Sequence, residues 1–167
     1  NLPHYTSRMK MKKLCAVAAV VIAMAFSVKL QAQQTEAYDD PGAAYRLGLD
    51  LVEKKQFGAA QEVFSKLLKE LPEGESIIRL DARYYDALAD YKLDHPEAKD
   101  KFTEFIRKYP DHTKTNEAWL NLGLISYDSR RYRDAIESFE KVEPYRLSPE
   151  QLTEYLYKLG YSYLQND

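Results

Sequence analysis

Tyrosine is the side chain whose chemistry stands out in this sequence, with 14 copies among 167 residues. Each tyrosine joins a large apolar ring to a hydroxyl group that can stay hydrated, and this combination suits surfaces that bind other proteins. Tyrosine is also a normal packing residue between helices. The first question is therefore which elements carry the tyrosines, and whether those elements leave them partly exposed.

Side chains that could catalyse a reaction show no such pattern. The sequence has no G-x-S-x-G turn, no H-E-x-x-H helix, no glycine-rich phosphate loop and no paired C-x-x-C. Its three histidines do not form a ligand cluster, because His4 lies near the start and His95 and His112 fall in predicted turns. We therefore expect no enzyme activity, no cofactor and no metal site.

A repeat in the sequence predicts the helices that carry the tyrosines. Alanine, phenylalanine and glycine each recur at intervals of 37 or 38 residues, or at twice that interval. The recurring residues are Ala60, Ala98 and Ala135, then Phe64, Phe102 and Phe139, and finally Gly48, Gly123 and Gly160. Apolar residues between them follow helical spacing, so each period predicts a helix pair that buries its apolar face against its neighbours.

Turn residues separate the predicted helices. Asp40 and Pro41 signal the start of the first helix, and Phe57-Gly58 marks the turn within the first pair. Asp86 stands where the other units have glycine, so the second unit departs from the pattern.

One phrase carries a family resemblance. Trp119-Leu120-Asn121-Leu122-Gly123, followed by Ala135 and Phe139, resembles the tetratricopeptide repeat pattern W-x₂-L-G…A-x₃-F. The sequence is also similar to periplasmic repeat proteins of Gram-negative envelopes, including outer-membrane assembly factors and the coordinator of the Tol–Pal system. The period of 37 to 38 is longer than the usual 34 of this family.

The resemblance implies an all-α fold, a right-handed superhelical solenoid of antiparallel helix pairs. We expect three units at about 41–74, 79–112 and 116–149, and the first helix of a fourth at 150–167. Because the fourth unit would lack its second helix, we expect the chain to be the N-terminal part of a longer protein.

The resemblance also implies a binding groove on the concave face, lined by the first helix of each unit. The residues expected there are Tyr45, Leu49, Arg83, Tyr91, Leu124, Tyr127, Tyr157 and Tyr161. The alternative for each tyrosine is packing between helices. For Arg83 the alternative is an ion pair with Asp86 or Asp90, and this is the interpretation that we prefer.

The first 32 residues predict a secretory signal. Three lysines between positions 10 and 13 precede an apolar run at 14–28, which is short for a membrane span of about 20 residues. We expect cleavage after Ala32, with cleavage near Ala23-Met24-Ala25 or retention as an uncleaved anchor as alternatives. Residues 33–40 form a polar segment. The signal predicts the periplasm or the periphery of the outer membrane, with no stable membrane span after cleavage.

The signal changes the charge of the remaining chain. Five of the 24 basic residues lie within 1–32 and no acidic residue does, which leaves 19 basic and 26 acidic side chains and a net charge of about −7. A surface with this negative charge binds nucleic acid poorly, because binding depends on basic side chains that neutralise the phosphates. Cys15, the only cysteine, also leaves with the signal.

Together these features predict an exported scaffold that binds a peptide or a helix of an envelope protein. Two alternatives remain open at this point. The chain is either the regulatory or substrate-presenting arm of an enzyme whose catalytic domain lies beyond residue 167, or a glycan-binding module in which exposed tyrosines stack on sugars. The sequence leaves the oligomeric state unknown.

Overall fold

The computed structural model describes residues 40–74 and 76–166, and within them the chain forms α-helices, one 3₁₀ turn and no strand. The helices are α1 (Pro41–Glu53), α2 (Phe57–Glu70), α3 (Ile77–Lys92), α4 (Ala98–Lys108), α5 (Thr115–Asp128), α6 (Tyr132–Phe139) and α7 (Pro149–Asn166), with the 3₁₀ turn at Pro144–Arg146. None of these helices has the length and apolar character needed to cross a membrane. The predicted signal and residues 33–39 lie outside the described residues.

The first helix begins where the sequence predicts it. Pro41 opens α1, where its missing N–H costs nothing, and the backbone N–H of Gly42 donates to Asp40 Oδ1 at 2.9 Å. Pro149 opens α7 in the same way. Asp40 and Pro41 together therefore define the start of α1.

The turn within each pair has a shared geometry, and in the first pair the sequence prediction placed it wrongly. Phe57 and Gly58 are the first residues of α2, and the turn lies just before them. In each pair the second residue after the first helix has a positive φ: 58° at Lys55, 57° at Asp94 and 57° at Arg130.

Backbone hydrogen bonds explain these left-handed residues. The N–H that follows each one bonds to a carbonyl five residues earlier: Gln56 to Leu51, His95 to Asp90 and Arg131 to Ser126. This is the Schellman arrangement, which pairs the free carbonyls at the end of a helix. Glycine usually occupies the left-handed position, and here a lysine, an aspartate and an arginine do so.

The helices pack in chain order, as a helical solenoid requires. From α2 to α7 each helix contacts the next, and α5 also contacts the first helices of the units before and after it, α3 and α7. Glycine allows close approach within two pairs. A Cβ added at Gly48 would lie 2.5 Å from the Phe64 ring, and one added at Gly123 would lie 2.4 Å from the Phe139 ring. The expected all-α solenoid architecture is confirmed.

In the second pair, an ion pair takes the place of this contact between glycine and phenylalanine. Asp86 lies in the glycine position, and its carboxylate bonds Lys101 of α4 and accepts from Ser65 Oγ at 2.7 Å. Lys101 also contacts Asp90 Oδ2 at 2.5 Å, and both aspartates are buried. Burial alone would lower the pKa of Lys101, but its hydrogen bonds to the two aspartates outweigh burial and raise the pKa.

Candidate functional site

Tyr45 and Leu49 lie on α1 and are half-buried against the core between α1, α2 and α3. The Tyr45 hydroxyl donates to Asp81 Oδ2 at 2.9 Å, and its ring lies 6.4 Å from the ring of Tyr85. Burial and this carboxylate raise the pKa of Tyr45. These two residues therefore serve mainly as contacts between the first and second units.

Leu124 was predicted to line the groove, but the structure buries it. It is only 3% exposed, and it packs in the core with Phe139 and Tyr155, so it is not on a surface open to a partner. Its counterpart in the second unit, Ala87, is buried as well. The reason is that this helix position faces neighbouring helices of the stack, which sequence spacing alone does not distinguish from the concave face.

Arg83 does not form the ion pair expected for it, and its place in a binding groove stays a prediction. It lines a cavity of about 160 Å³ near Leu68 and Phe105, and its buried Nε has no hydrogen-bond partner among the described residues. Among the ion pairs of the described residues, Arg83 has none. Lys101 pairs with Asp86 and Asp90 instead, so the preferred interpretation of Arg83 is wrong. No contact joins it to the predicted tyrosines within the described part of the chain.

The remaining predicted residues come together at α5, α6 and α7. Tyr127 lies 5.8 Å from Tyr132 and 5.7 Å from Tyr161, measured between ring centroids, and Tyr132 lies 5.9 Å from Tyr161. Tyr157 stacks on Tyr161 at 6.3 Å with an interplanar angle of 27°. We call these four residues the tyrosine cluster. Tyr157 is 65% exposed, so one edge of the cluster is open to solvent.

A charged network holds the cluster in place. Lys158 Nζ lies 4.6 Å above the ring of Tyr127, within cation–π range, and donates to Asp128 Oδ1 at 3.0 Å. Asp128 Oδ2 accepts from the Tyr91 hydroxyl at 2.9 Å. This network joins α3, α5 and α7, the first helices of three successive units.

Two tyrosines of this network have a raised pKa. Burial and then Asp128 raise the pKa of Tyr91, so its hydroxyl remains the donor in this hydrogen bond. Burial also raises the pKa of Tyr127. A cavity of about 420 Å³ opens beside Tyr91 and Asp128 and offers room for a side chain of a bound partner.

Sequence reasoning missed three members of this site: Tyr132, Asp128 and Lys158. Tyr132 lies on the second helix of its unit, outside the positions that the resemblance implies. A usable signal existed for Asp128, because it follows Tyr91 by 37 residues, one full period. Residues one period apart on successive first helices can touch, as Tyr84 and Asn121 also do at 3.2 Å.

The site contains no arrangement suited to metal binding. Within 40–74 and 76–166, no three His, Cys, Asp or Glu side chains are grouped to hold a metal ion. The chemistry available is an aromatic surface with ordered rings, the ammonium group of Lys158 and the carboxylates of Asp128 and Glu154 that pair with it. Such a surface favours recognition of another polypeptide.

Comparison with known proteins points in the same direction. Residues 81–112, which cover most of α3 and all of α4, match the family model described as Tetratricopeptide repeat. No curated protein and no solved structure gave a match. The matched pair is the second unit, although the third unit carries the clearest tryptophan phrase. Repeats of this kind are generally non-catalytic and mediate protein–protein interaction. The match supports a tetratricopeptide repeat at residues 81–112, and the helix pairs on either side stack in the same order.

Proposed function

We propose that this chain is an exported interaction module, and that the tyrosine cluster binds a segment of a partner protein in the bacterial cell envelope. The observation that carries this proposal is the set of four tyrosine rings in mutual contact, with Tyr157 largely exposed. Large aromatic side chains supply much of the energy in protein interfaces.

Preorganisation strengthens the case for a binding surface. Tyr127 is held by Lys158, and Tyr161 is held by rings on both sides. A partner therefore meets rings that have already lost most of their freedom, and less side-chain entropy is lost on binding. Removing one such ring commonly costs about 2 kcal/mol of binding energy, or about 30-fold in Kd.

Photocross-linking tests this surface in cells. A photoreactive phenylalanine analogue at position 157 should capture a discrete partner, whereas the same analogue at position 145 should not. Tyr145 is a matched control because it is 81% exposed and lies outside the tyrosine cluster. Equal capture at both positions would contradict the proposal.

Purified components then test the energetics. With the captured partner in hand, Tyr157→Ala and Tyr161→Ala should each weaken binding by about 30-fold, and Tyr145→Ala should leave Kd unchanged. Circular dichroism of each variant establishes that the helices are intact. Two cluster variants that bind as tightly as the unsubstituted chain would overturn the assignment.

Export is the second part of the proposal, and it rests on the basic and apolar pattern of residues 10–32. Expression of the full chain in a Gram-negative host should yield a periplasmic protein whose first residue is Gln33. A chain lacking residues 1–32 should remain in the cytoplasm. Retention of the full chain in the cytoplasm, uncut, would refute export without affecting the binding surface.

A further inference from the structure

Arg83 interrupts an apolar position of the repeat. The residue that follows it by 37 positions, at the same place of the third unit, is Leu120, which is 2% exposed and packs in the core. Arg83 is itself partly buried, and its Nε is shielded from solvent without a hydrogen-bond partner among the described residues. A buried donor without a partner destabilises a fold, so an anion that bonds this guanidinium would offset the cost.

The cavity that Arg83 lines is formed by the first two units. Leu68 lines it from α2, and Lys101, Glu104 and Lys108 line it from α4. Because α2 and α4 are second helices, this cavity differs from the expected groove, which the first helices line. Its volume of about 160 Å³ compares with about 30 Å³ for a water molecule in the liquid, so a carboxylate group and the carbon next to it fit. None of its described lining residues belongs to the tyrosine cluster.

The other charged groups around this guanidinium are already paired. Lys101 bonds Asp86 and Asp90, and Lys108 bonds Glu104, whereas the guanidinium forms no ion pair within 40–74 and 76–166. Apart from the arginine, the described lining residues carry two positive and two negative charges, and Asp90 adds a negative charge on the same lysine. A single negative charge therefore matches the unpaired guanidinium, whereas a phosphate dianion would repel the nearby carboxylates.

Arginine binds a carboxylate through two parallel N–H···O bonds, and such a pair is stronger where water is partly excluded. A polypeptide is the expected carrier of the carboxylate, because the repeat matched at residues 81–112 generally mediates protein–protein interaction. We propose that the cavity beside Arg83 holds one carboxylate of a partner polypeptide, supplied by an aspartate or glutamate side chain or by the C-terminus. This site depends on neither the tyrosine cluster nor export, so it can fail while both of those proposals hold.

Three short peptides test the site by NMR of the ¹⁵N-labelled full-length protein. Acetyl-Gly-Glu-Gly-amide offers a side-chain carboxylate, acetyl-Gly-Gly-Gly with a free C-terminus offers a terminal one, and acetyl-Gly-Gln-Gly-amide offers none. The Nε–Hε resonance of Arg83, identified by its loss in Arg83→Lys, should shift saturably with at least one carboxylate peptide and should not move with the glutamine peptide. The tighter of the two carboxylate peptides identifies the source. No saturable shift with either, an equal shift with the glutamine peptide, or tighter binding of inorganic phosphate would overturn the proposal.

Substitutions in the protein locate the site, with binding followed at the backbone amides of α4. Arg83→Leu, which supplies the residue of the third unit, should abolish carboxylate binding and keep or raise the melting temperature, because it removes the unpartnered donor. Arg83→Lys should weaken binding by about tenfold, since lysine keeps the charge and lacks the paired donors. Arg133→Leu is the matched control, because that arginine is 82% exposed, and it should leave the affinity unchanged. Carboxylate binding that survives Arg83→Leu, or a lower melting temperature of this variant, would refute a ligand-binding role for Arg83.

Discussion

Replacement of Gly123 by alanine separates two effects that usually act together. Alanine is the better helix former by about 1 kcal/mol, so the substitution stabilises a helix whose surroundings have room for a methyl group. At Gly123 that room is missing, because the new Cβ would lie 2.4 Å from both Cδ1 and Cε1 of Phe139. At Gly160, in the corresponding place of α7, no described atom lies within 4 Å apart from the two neighbouring residues and the backbone of the helix itself.

The expected magnitudes follow from these contacts. Carbon atoms pack at about 3.5–4.0 Å, so the Gly123→Ala methyl overlaps the ring by about 1 Å. Phe139 is fully buried and cannot move toward solvent, which puts the cost near the upper end of about 1–3 kcal/mol for overpacking. With the helical gain subtracted, Gly123→Ala should lower the free energy of unfolding by about 2 kcal/mol, and Gly160→Ala should raise it by about 1 kcal/mol.

Urea unfolding followed by circular dichroism measures both values, provided that the slope m is unchanged between variants. A double-mutant cycle with Phe139→Leu adds a second check, because a smaller side chain at 139 should reduce the penalty at Gly123. If Gly123→Ala were as stable as the unsubstituted chain, or if both glycine variants shifted in the same direction, the close-approach argument would fail.

Three further predictions concern charges and turns. Lys101→Met should lower the free energy of unfolding by about 2–3 kcal/mol, because the buried Asp86 and Asp90 lose the ammonium group that pairs with them. The loss stays below that of a fully buried pair because the lysine is partly exposed. A change below about 0.5 kcal/mol in urea unfolding would contradict this. Arg130→Gly should stabilise by about 1 kcal/mol, since glycine adopts the left-handed conformation without steric cost, and calorimetry showing a lower melting temperature would be inconsistent with it. The raised pKa of Tyr91 means that the folded chain keeps a proton that the unfolded chain releases above about pH 10, so stability should fall as pH rises beyond that value. Tyr91→Phe should make this fall shallower between about pH 10 and 12, and an identical pH profile for both proteins would count against the buried hydroxyl.

The sequence predicted the architecture because periodicity and packing express the same constraint. Ala60, Phe64 and Gly48 recur at one interval, and the structure packs them in one core. The turns were harder to predict, because Lys55 and Arg130 adopt a conformation for which their residue types give no signal. Phe57-Gly58 was predicted to be a turn, but these two residues begin α2. Glycine is strongly enriched just after the end of a helix and only modestly at its start, so it is a weak signal for a helix start.

The candidate site was predicted in part, for a different reason. Tyr127, Tyr157 and Tyr161 were named from their positions, and the structure brings them into contact with one another. Leu124 was wrong, because a helix in a stack has two apolar faces and sequence spacing does not say which one the next unit covers. Tyr132 was missed since contacts between a first and a second helix depend on the turn between them.

The ion pair of the second unit has a consequence for how the repeats find their correct partners. Repeats with similar sequences risk pairing a first helix with the wrong second helix during folding. At the position of Lys101, just before the buried phenylalanine, α2 has Val63 and α6 has Ser138. Either of those helices in the place of α4 would leave Asp86 and Asp90 buried without Lys101, at a cost of several kcal/mol. The contact of Lys101 with Asp86 and Asp90 therefore favours the correct pairing of α3 with α4 over pairing with the other second helices.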